Sequence, residues 1–309
     1  MNSDLKAYMP IEITDERLVS STIPEPYDDE PIWSPTTTYV EFQKVSVITA
    51  NSHLVYEALN LPSNLNKQPA TSPTYWQLRG KTMRFRMFDW NQGEVSIGKS
   101  PLTVVIRPKE RISSITLLGV KASVLELVVT DGIGGPIVYT LDAELRSRYV
   151  TTYYEYFFSP FVYDTVVSTS NLPPVADPVI SMTLYDPSGW CEPGRFAVGM
   201  HTDLGEVDWE SVFEDENYSE ITRDRFGKVT LNPIPSIPTL EMAVGVDAYQ
   251  TNKIVQFKRM TDAKVTVWSA LQNVEAYRQM HVLIGIHKRF KITPLNHKMA
   301  KIDLRLEGV

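Results

Sequence analysis

The chain has 309 residues, a formal net charge of −7 and a pI near 5.4, an acidic balance that argues against a dedicated nucleic-acid binder, which would carry a basic face. Apolar residues make up 43% and charged residues 22%, enough for a packed core and too apolar for wholesale disorder. The length suits two domains or one large β domain with a satellite, and the single cysteine, Cys191, excludes an intrachain disulfide and fits folding in a reducing cytosol.

The first residues, MNSDLKAYMPIEITDER, contain no apolar signal core, and no run approaches the roughly 18 apolar residues of a membrane span. Cytoplasmic synthesis without classical export or membrane insertion is therefore expected. Residues 1–35 read as an extended arm, because the proline-rich STIPEPYDDEPIWSP can neither close a helix nor fill a central strand. Such an arm either lies along its own domain or reaches onto a neighbouring subunit. From Thr36 the texture alternates and is rich in β-branched and aromatic residues, giving a compact β unit over residues 36–80. A unit of about 45 residues has a marginal core by itself, so Trp33, Tyr39, Tyr56 and Trp76 must supply much of its burial.

Residues 81–190 predict short strands in MRFRMFDW, LTVVIRP, ISSITLLGV, VLELVVTD, IVYTLDAEL, TTYYEYFF and ISMTLYD, separated by turn signals such as Asp131-Gly132 and Gly134-Gly135-Pro136. That spacing predicts a β-sandwich or jelly roll. Residues 191–309 read as a more irregular β-rich region packed with the sandwich. PIPSIPTLEMAV is a connector, one minor helix is placed at Val267–Val274, and two strands end the chain in HVLIGIHKRFKITPL and KMAKIDLRLEGV. The predicted class is all-β.

Catalytic constellations are thin. GxxxxGK[ST] is matched once, by GEVSIGKS at 93–100, but between a turn signal and the expected strand LTVVIRP rather than ahead of a helix, and no GxSxG, HExxH or CxxC occurs in the sequence. PSGWCEPGRF gives Cys191 no local histidine and reads as a buried or loop-anchoring site. His281 and His287 would lie about 20 Å apart on one strand, too far to share a metal. The acidic run Glu206–Glu220 lacks the spacing of a calcium loop and reads as a solvated acidic face or subunit contact, with calcium and a glycosidase carboxylate pair left open. Lys288, Arg289, Lys291, Lys298, Lys301 and Arg305 cluster near the C-terminus and read as solvated strand faces. No cofactor, metal or catalytic role is expected, and the chain reads as a non-enzyme.

The landmarks from Trp33 through Tyr39, Val55-Tyr56 and the Asn/Pro/Ser loop to Trp76 resemble the small chitin- and cellulose-binding modules of carbohydrate-binding families five and twelve. The chain departs from that pattern at Val40-Glu41-Phe42, where a Gly-Asp turn is usual. The arm ITDERLVSSTIPEPYDDEPIWSPTTTY, the tract EDENYSEITRDRFGKVTL and the ends KRFKI and LRLEGV resemble tailed-bacteriophage virion proteins that carry such a module near their start.

These resemblances imply a tail-associated virion protein (neck, tube or fibre-associated), assembled in the host cytoplasm as a symmetric homo-oligomer among other virion tail proteins. They also imply contact with host cell-surface glycans. In that reading Tyr75 and Trp76, with Tyr56 or Trp33, offer flat faces to sugar rings, and Asn64, Asn66 and Gln68 supply polar partners. In the opposing reading the aromatics are the core and the loop docks on them. Two further alternatives stand: the glycan-binding module of a polysaccharide-degrading enzyme, and an architectural tail adaptor that touches no glycan.

Overall fold

In a computed structural model, the structure describes residues 4–59, 64–90, 95–147, 150–223, 225–271, 277 and 279–309. Two cores organise the described chain, and both are built from antiparallel strands.

The sandwich packs a five-stranded sheet on a three-stranded one. Strands 137–144, 124–131, 178–185, 102–106 and 18–21 form the larger sheet in that order, and 166–169, 114–118 and 195–199 form the smaller. Along Val124–Asp131 the side chains of Leu125, Leu127 and Val129 face inward and alternate with half-exposed or exposed neighbours, the period of a sheet covered on one face. The hairpin from 124–131 to 137–144 turns through Gly132 and Gly134, both at positive φ, and a Cβ on Gly135 would strike the Asp131 carbonyl.

The second core is a barrel. Strand 202–207 pairs with Asp4–Tyr8, which pairs with 266–269, then in turn 282–294, 299–308 and 237–247, and the last closes back on 202–207 through Glu206–Gly245 and Val207–Val244. Closure gives each of these six strands a neighbour on both sides, and strand 212–216 extends the sheet beside 237–241. Ala300, Ile302, Leu304 and Leu306 point inward, and Lys301, Asp303, Arg305 and Glu307 alternate with them. A helix at Thr251–Met260 covers the barrel with Ile254 and Phe257 buried, Phe257 standing edge-on to Trp268 at 6.2 Å. Lys258 Nζ donates to the Phe290 carbonyl at 2.7 Å, tying the helix to strand 282–294.

The small unit is a three-stranded meander, 44–49, 52–58 and 76–81. The chain therefore starts in the barrel, crosses to the sandwich at Leu18–Ser21, forms the small unit, returns to the sandwich and ends in the barrel.

The structure bears out the all-β class with a short helix in the C-terminal part, and it revises several local assignments. The helix lies at Thr251–Met260. Val267–Ser269, expected to begin it, lie in the strand Thr266–Ser269, buried at all four positions between two neighbours, and 272–274 lie outside the described residues. TTYYEYFF holds a helix at Tyr153–Phe158, and MRFRMFDW folds as turns and a 3₁₀ segment at Arg86–Phe88 that drives Phe85, Met87 and Phe88 into the sandwich core. The N-terminal arm lies along its own body. Leu5, Ala7 and Tyr8 are buried in the barrel, and Glu30 is buried in an ion pair with Arg86. Residues 191–309, expected to be irregular, supply most of the barrel.

If Asp4–Tyr8 is a structural strand, Leu5→Ala should cost about 2–5 kcal/mol as a core truncation. Urea unfolding checks this, and an unchanged midpoint would show the strand to be dispensable.

Candidate functional site

The small unit answers what its long loop is for. Trp76 is 2% exposed, packed with Val45 and Ala58, and Tyr39 meets its ring edge-on at 5.3 Å. Its indole N–H donates to the Lys67 carbonyl at 2.8 Å. Asn64 is equally enclosed. Its amide carbonyl accepts from the Tyr39 N–H and its NH₂ donates to the Tyr39 carbonyl, both at 2.9 Å. Trp76 and Asn64, expected as sugar platform and polar partner, thus fasten the loop to the sheet with their side chains buried. Trp33, Tyr56 and Tyr75 are half-buried against the same cluster, with Lys67 Nζ 5.3 Å from the Tyr75 ring centre. Asn66 and Gln68 are exposed, and Asn66 sits at φ 54° in the loop turn. The structure does not gather these seven residues onto one open face.

The departure at Val40-Glu41-Phe42 has a structural counterpart. Phe42 adopts φ 67°, a region bulky residues seldom enter, with its amide bonded to the Ala58 carbonyl, and both Val40 and Phe42 are exposed. Beside them a cavity of about 570 Å³ is lined by Asp29, Thr37, Thr38, Tyr39 and Gln43 among others. On the strands, Arg79 forks onto Glu57 at 2.9 and 2.7 Å and holds its carboxyl below the usual range.

Elsewhere the polar groups serve structure. His53 stacks on Phe85 at 4.1 Å and places Nδ1 2.9 Å from Glu25 Oε1, joining the small unit to the arm. His281 Nε2 lies 2.7 Å from the Ser211 hydroxyl and its Nδ1 3.0 Å from the Tyr277 carbonyl. Burial pushes the Cys191 thiol up, away from nucleophilic use. Burial also pushes His201 and His287 below their ordinary value. The acidic run spreads over three elements. Glu206 ends in the barrel ladder, Val212–Glu216 extends the sheet beside 237–241, and Glu220 opens a hairpin. Among the described residues, no group of three or more His, Cys, Asp or Glu is placed to hold a metal ion. In the basic cluster, Lys288 pairs with Glu307 at 3.1 Å and Arg305 with Glu216 at 3.0 Å.

Two surface elements stand out, one read from the sequence as a strand and the other only in part, through a strand in RFGKVTLNP. The first is the helix Tyr153–Phe158. Thr152 caps it, Glu155 closes the capping box, and no residue of it is buried. Hydrogen bonds from the Thr151 hydroxyl and the Thr151 and Thr152 amides hold the Glu155 carboxyl down to about 2. Tyr153, at 82% exposure, stands with Tyr154, Tyr156, Phe157 and Phe158 in open solvent. The T-x-x-E spacing was the available signal. The second is the hairpin Glu220–Arg223/Val229–Asn232, whose strand residues are all exposed.

No protein-family model matches the chain, and no curated protein matches it. Among the described residues, no helix is long and apolar enough to cross a membrane.

Trp76→Ala should cost about 3–5 kcal/mol and Asn66→Ala less than about 0.5 kcal/mol, compared by thermal or urea unfolding. Equal, small effects would return Trp76 to the surface. The two histidines set a pH window. Their folded pKa values lie below the ordinary 6.5 or so, so the unfolded chain binds more protons and stability is lost as pH falls from about 6.5 towards the folded values. Unfolding midpoints taken from pH 7.5 to 5.5 should fall, and fall less in His287→Gln. The lowered carboxylates add their own loss only below about 4.5.

Proposed function

We propose that the chain is a non-enzymatic structural subunit of a tailed-bacteriophage tail, made to associate with copies of itself and with other virion tail proteins. The observation that carries this reading is the helix Tyr153–Phe158, five aromatic side chains on a six-residue element with none of them buried. Exposed apolar patches of this kind mark contact sites on proteins that do not act alone. Its capping box orders the helix without help from a core, so the aromatics are presented ready for a partner. The assignment to a phage tail rests on the arm, the EDENYSEITRDRFGKVTL tract and the C-terminal Glu-Gly end, which resemble such proteins.

Within that reading the geometry favours an architectural adaptor over a glycan-contacting one. Trp76 and Asn64 are spent on holding the loop, and the small unit is docked on the body through His53 and Glu25. A polysaccharide-degrading enzyme is the alternative from another class. It would reveal itself as hydrolysis of chitin, cellulose or cell-surface polysaccharide that is lost in Glu206→Gln or Asp208→Asn.

Light scattering over a concentration series should return a defined oligomer, and the chain should co-purify with phage particles. Phe157→Ser/Phe158→Ser should leave the unfolding midpoint almost unmoved and cut incorporation into particles at least tenfold. A chain that stays monomeric at every concentration and is missing from particles overturns the reading.

A further inference from the structure

Strand 212–216 ends at Glu216, paired with Ile237, and between them residues 217–236 leave the barrel rim and return. The excursion carries the hairpin, whose paired strands Glu220–Arg223 and Val229–Asn232 span about 13 Å. Its two faces differ. Ile221 lies opposite Leu231 and Arg223 opposite Val229, so these four share one face. Thr222 opposite Thr230 and Glu220 opposite Asn232 form the other. Phe226, 95% exposed, marks the tip. Arg223, Arg225 and Lys228 give the tip three cations against one acid in the sequence, Asp224. An isolated two-stranded hairpin is marginal in water, so an apolar and cationic face open to solvent calls for a cover.

The matching surface is on the same barrel. A cavity of about 570 Å³ is lined by Asp4, Asp203, Glu206, Asp208 and Asp247, with no Lys or Arg in its wall. Asp4, Glu206, Asp208 and Asp247 make no ion pair with another described residue. Val246 and Met299 add apolar wall. The cavity sits where Gly245 pairs with Glu206, and the hairpin leaves where Ile237 pairs with Glu216. Those points are eight residues apart on one strand, about 26 Å. A hairpin that springs from one end of this strand with every strand residue exposed does not fill the cavity at the other end of its own barrel.

We propose that the hairpin of one copy seats in the acidic cavity of the next, Arg223 and Arg225 against the carboxylates and Ile221 and Leu231 against Met299. The inference rests on the self-associating subunit proposed above and names its contact. Two hairpins meeting face to face would set Arg223 against Arg223, whereas the cavity neutralises it. Because the two surfaces are different and lie at opposite ends of the strand, the contact is head to tail, and it closes a ring or grows a filament according to its rotation.

The test uses the full chain and two variants, Arg223→Glu/Arg225→Glu and Glu206→Lys/Asp247→Lys, each checked by circular dichroism. Wild type is expected to form the oligomer and to dissociate as salt is raised from 0.05 to about 0.5 M. Each variant alone should associate at least tenfold more weakly. Their mixture should restore the oligomer with the two variants alternating one to one, since the intact hairpin meets the intact cavity at one contact and the charge-swapped pair meets at the next, and all four substitutions in one chain should restore it as well. As a second route, Ile221→Ser/Leu231→Ser removes the apolar face without charge and should also weaken association. Wild type that is oligomeric with both charge variants unaffected overturns the hairpin contact and leaves the structural-subunit reading standing. Wild type monomeric at every concentration removes the self-association on which both depend.

Discussion

The strand Asp4–Tyr8 sits between 202–207 and 266–269, so the first described residues of the chain are hydrogen-bonded to strands some 200 and 260 positions later. Without it the barrel is an open sheet with two edges and with Leu204, Trp268 and Leu283 facing water. Tyr8 ends the strand at the seam with the sandwich, buried with Ala197, Val267 and Ile284, its hydroxyl donating to the Ala197 carbonyl at 3.3 Å. Burial raises the phenol's pKa, so the group stays neutral. The same strand thus closes one core and fixes it to the other. Everything inserted between residues 9 and 201 is carried at a position set by this seam.

The small unit shows the consequence. It is held by the His53 ring on Phe85, by the bond from His53 to Glu25, and by the bridge from Ile32 to Ser46. Beneath it Arg86 and Glu30 form a buried ion pair, and Arg86 Nε also donates to the Lys81 carbonyl at 3.2 Å. Removing one partner of such a pair strands a charge in the interior, whereas the intact pair adds little net stability. Its value here is positional. A unit fixed in this way presents one surface outward, and the buried indole of Trp76 is not on it.

Much of this was legible in residue patterns. The alternation in Ala300–Leu306 and Leu125–Val129 gives the strand and its inward face directly. Asp131-Gly132 and Gly134-Gly135 mark a turn because Gly132 and Gly134 take a left-handed backbone. Thr266–Ser269 was not legible, because a strand buried on both faces has no period and its run of apolar residues reads equally well as helix. Tyr153–Phe158 was misread for the opposite reason. Its aromatics favour strands, and only Thr152 and Glu155 signal the helix. Nothing in the local pattern names the strand that Asp4–Tyr8 will join, so the nested path from barrel to sandwich to small unit and back stayed hidden. In the small unit the aromatics were correctly placed near one another, but which of them faced inward depended on Asn64 and Lys67 folding over them.

The barrel exterior shows what this chain does with surface that must stay solvated. Lys301, Asp303, Arg305 and Glu307 alternate in sign along one strand, and Lys288, Glu216 and Glu241 answer them from neighbouring strands. That arrangement blunts a flat β surface against unwanted contacts. The same chain places five aromatics on Tyr153–Phe158 and four apolar side chains on the hairpin and its tip, on elements that contribute to neither main core. A sequence that controls its surface so closely on the barrel has no folding reason to leave those segments apolar. Both are excursions that leave the body and return to it, and both are ordered by local means, a capping box in one and a cross-strand ladder in the other. Local order combined with exposed apolar side chains lowers the entropy cost of docking. The described surface thus combines local order with exposed apolar side chains on these two segments and balances charge along the barrel exterior.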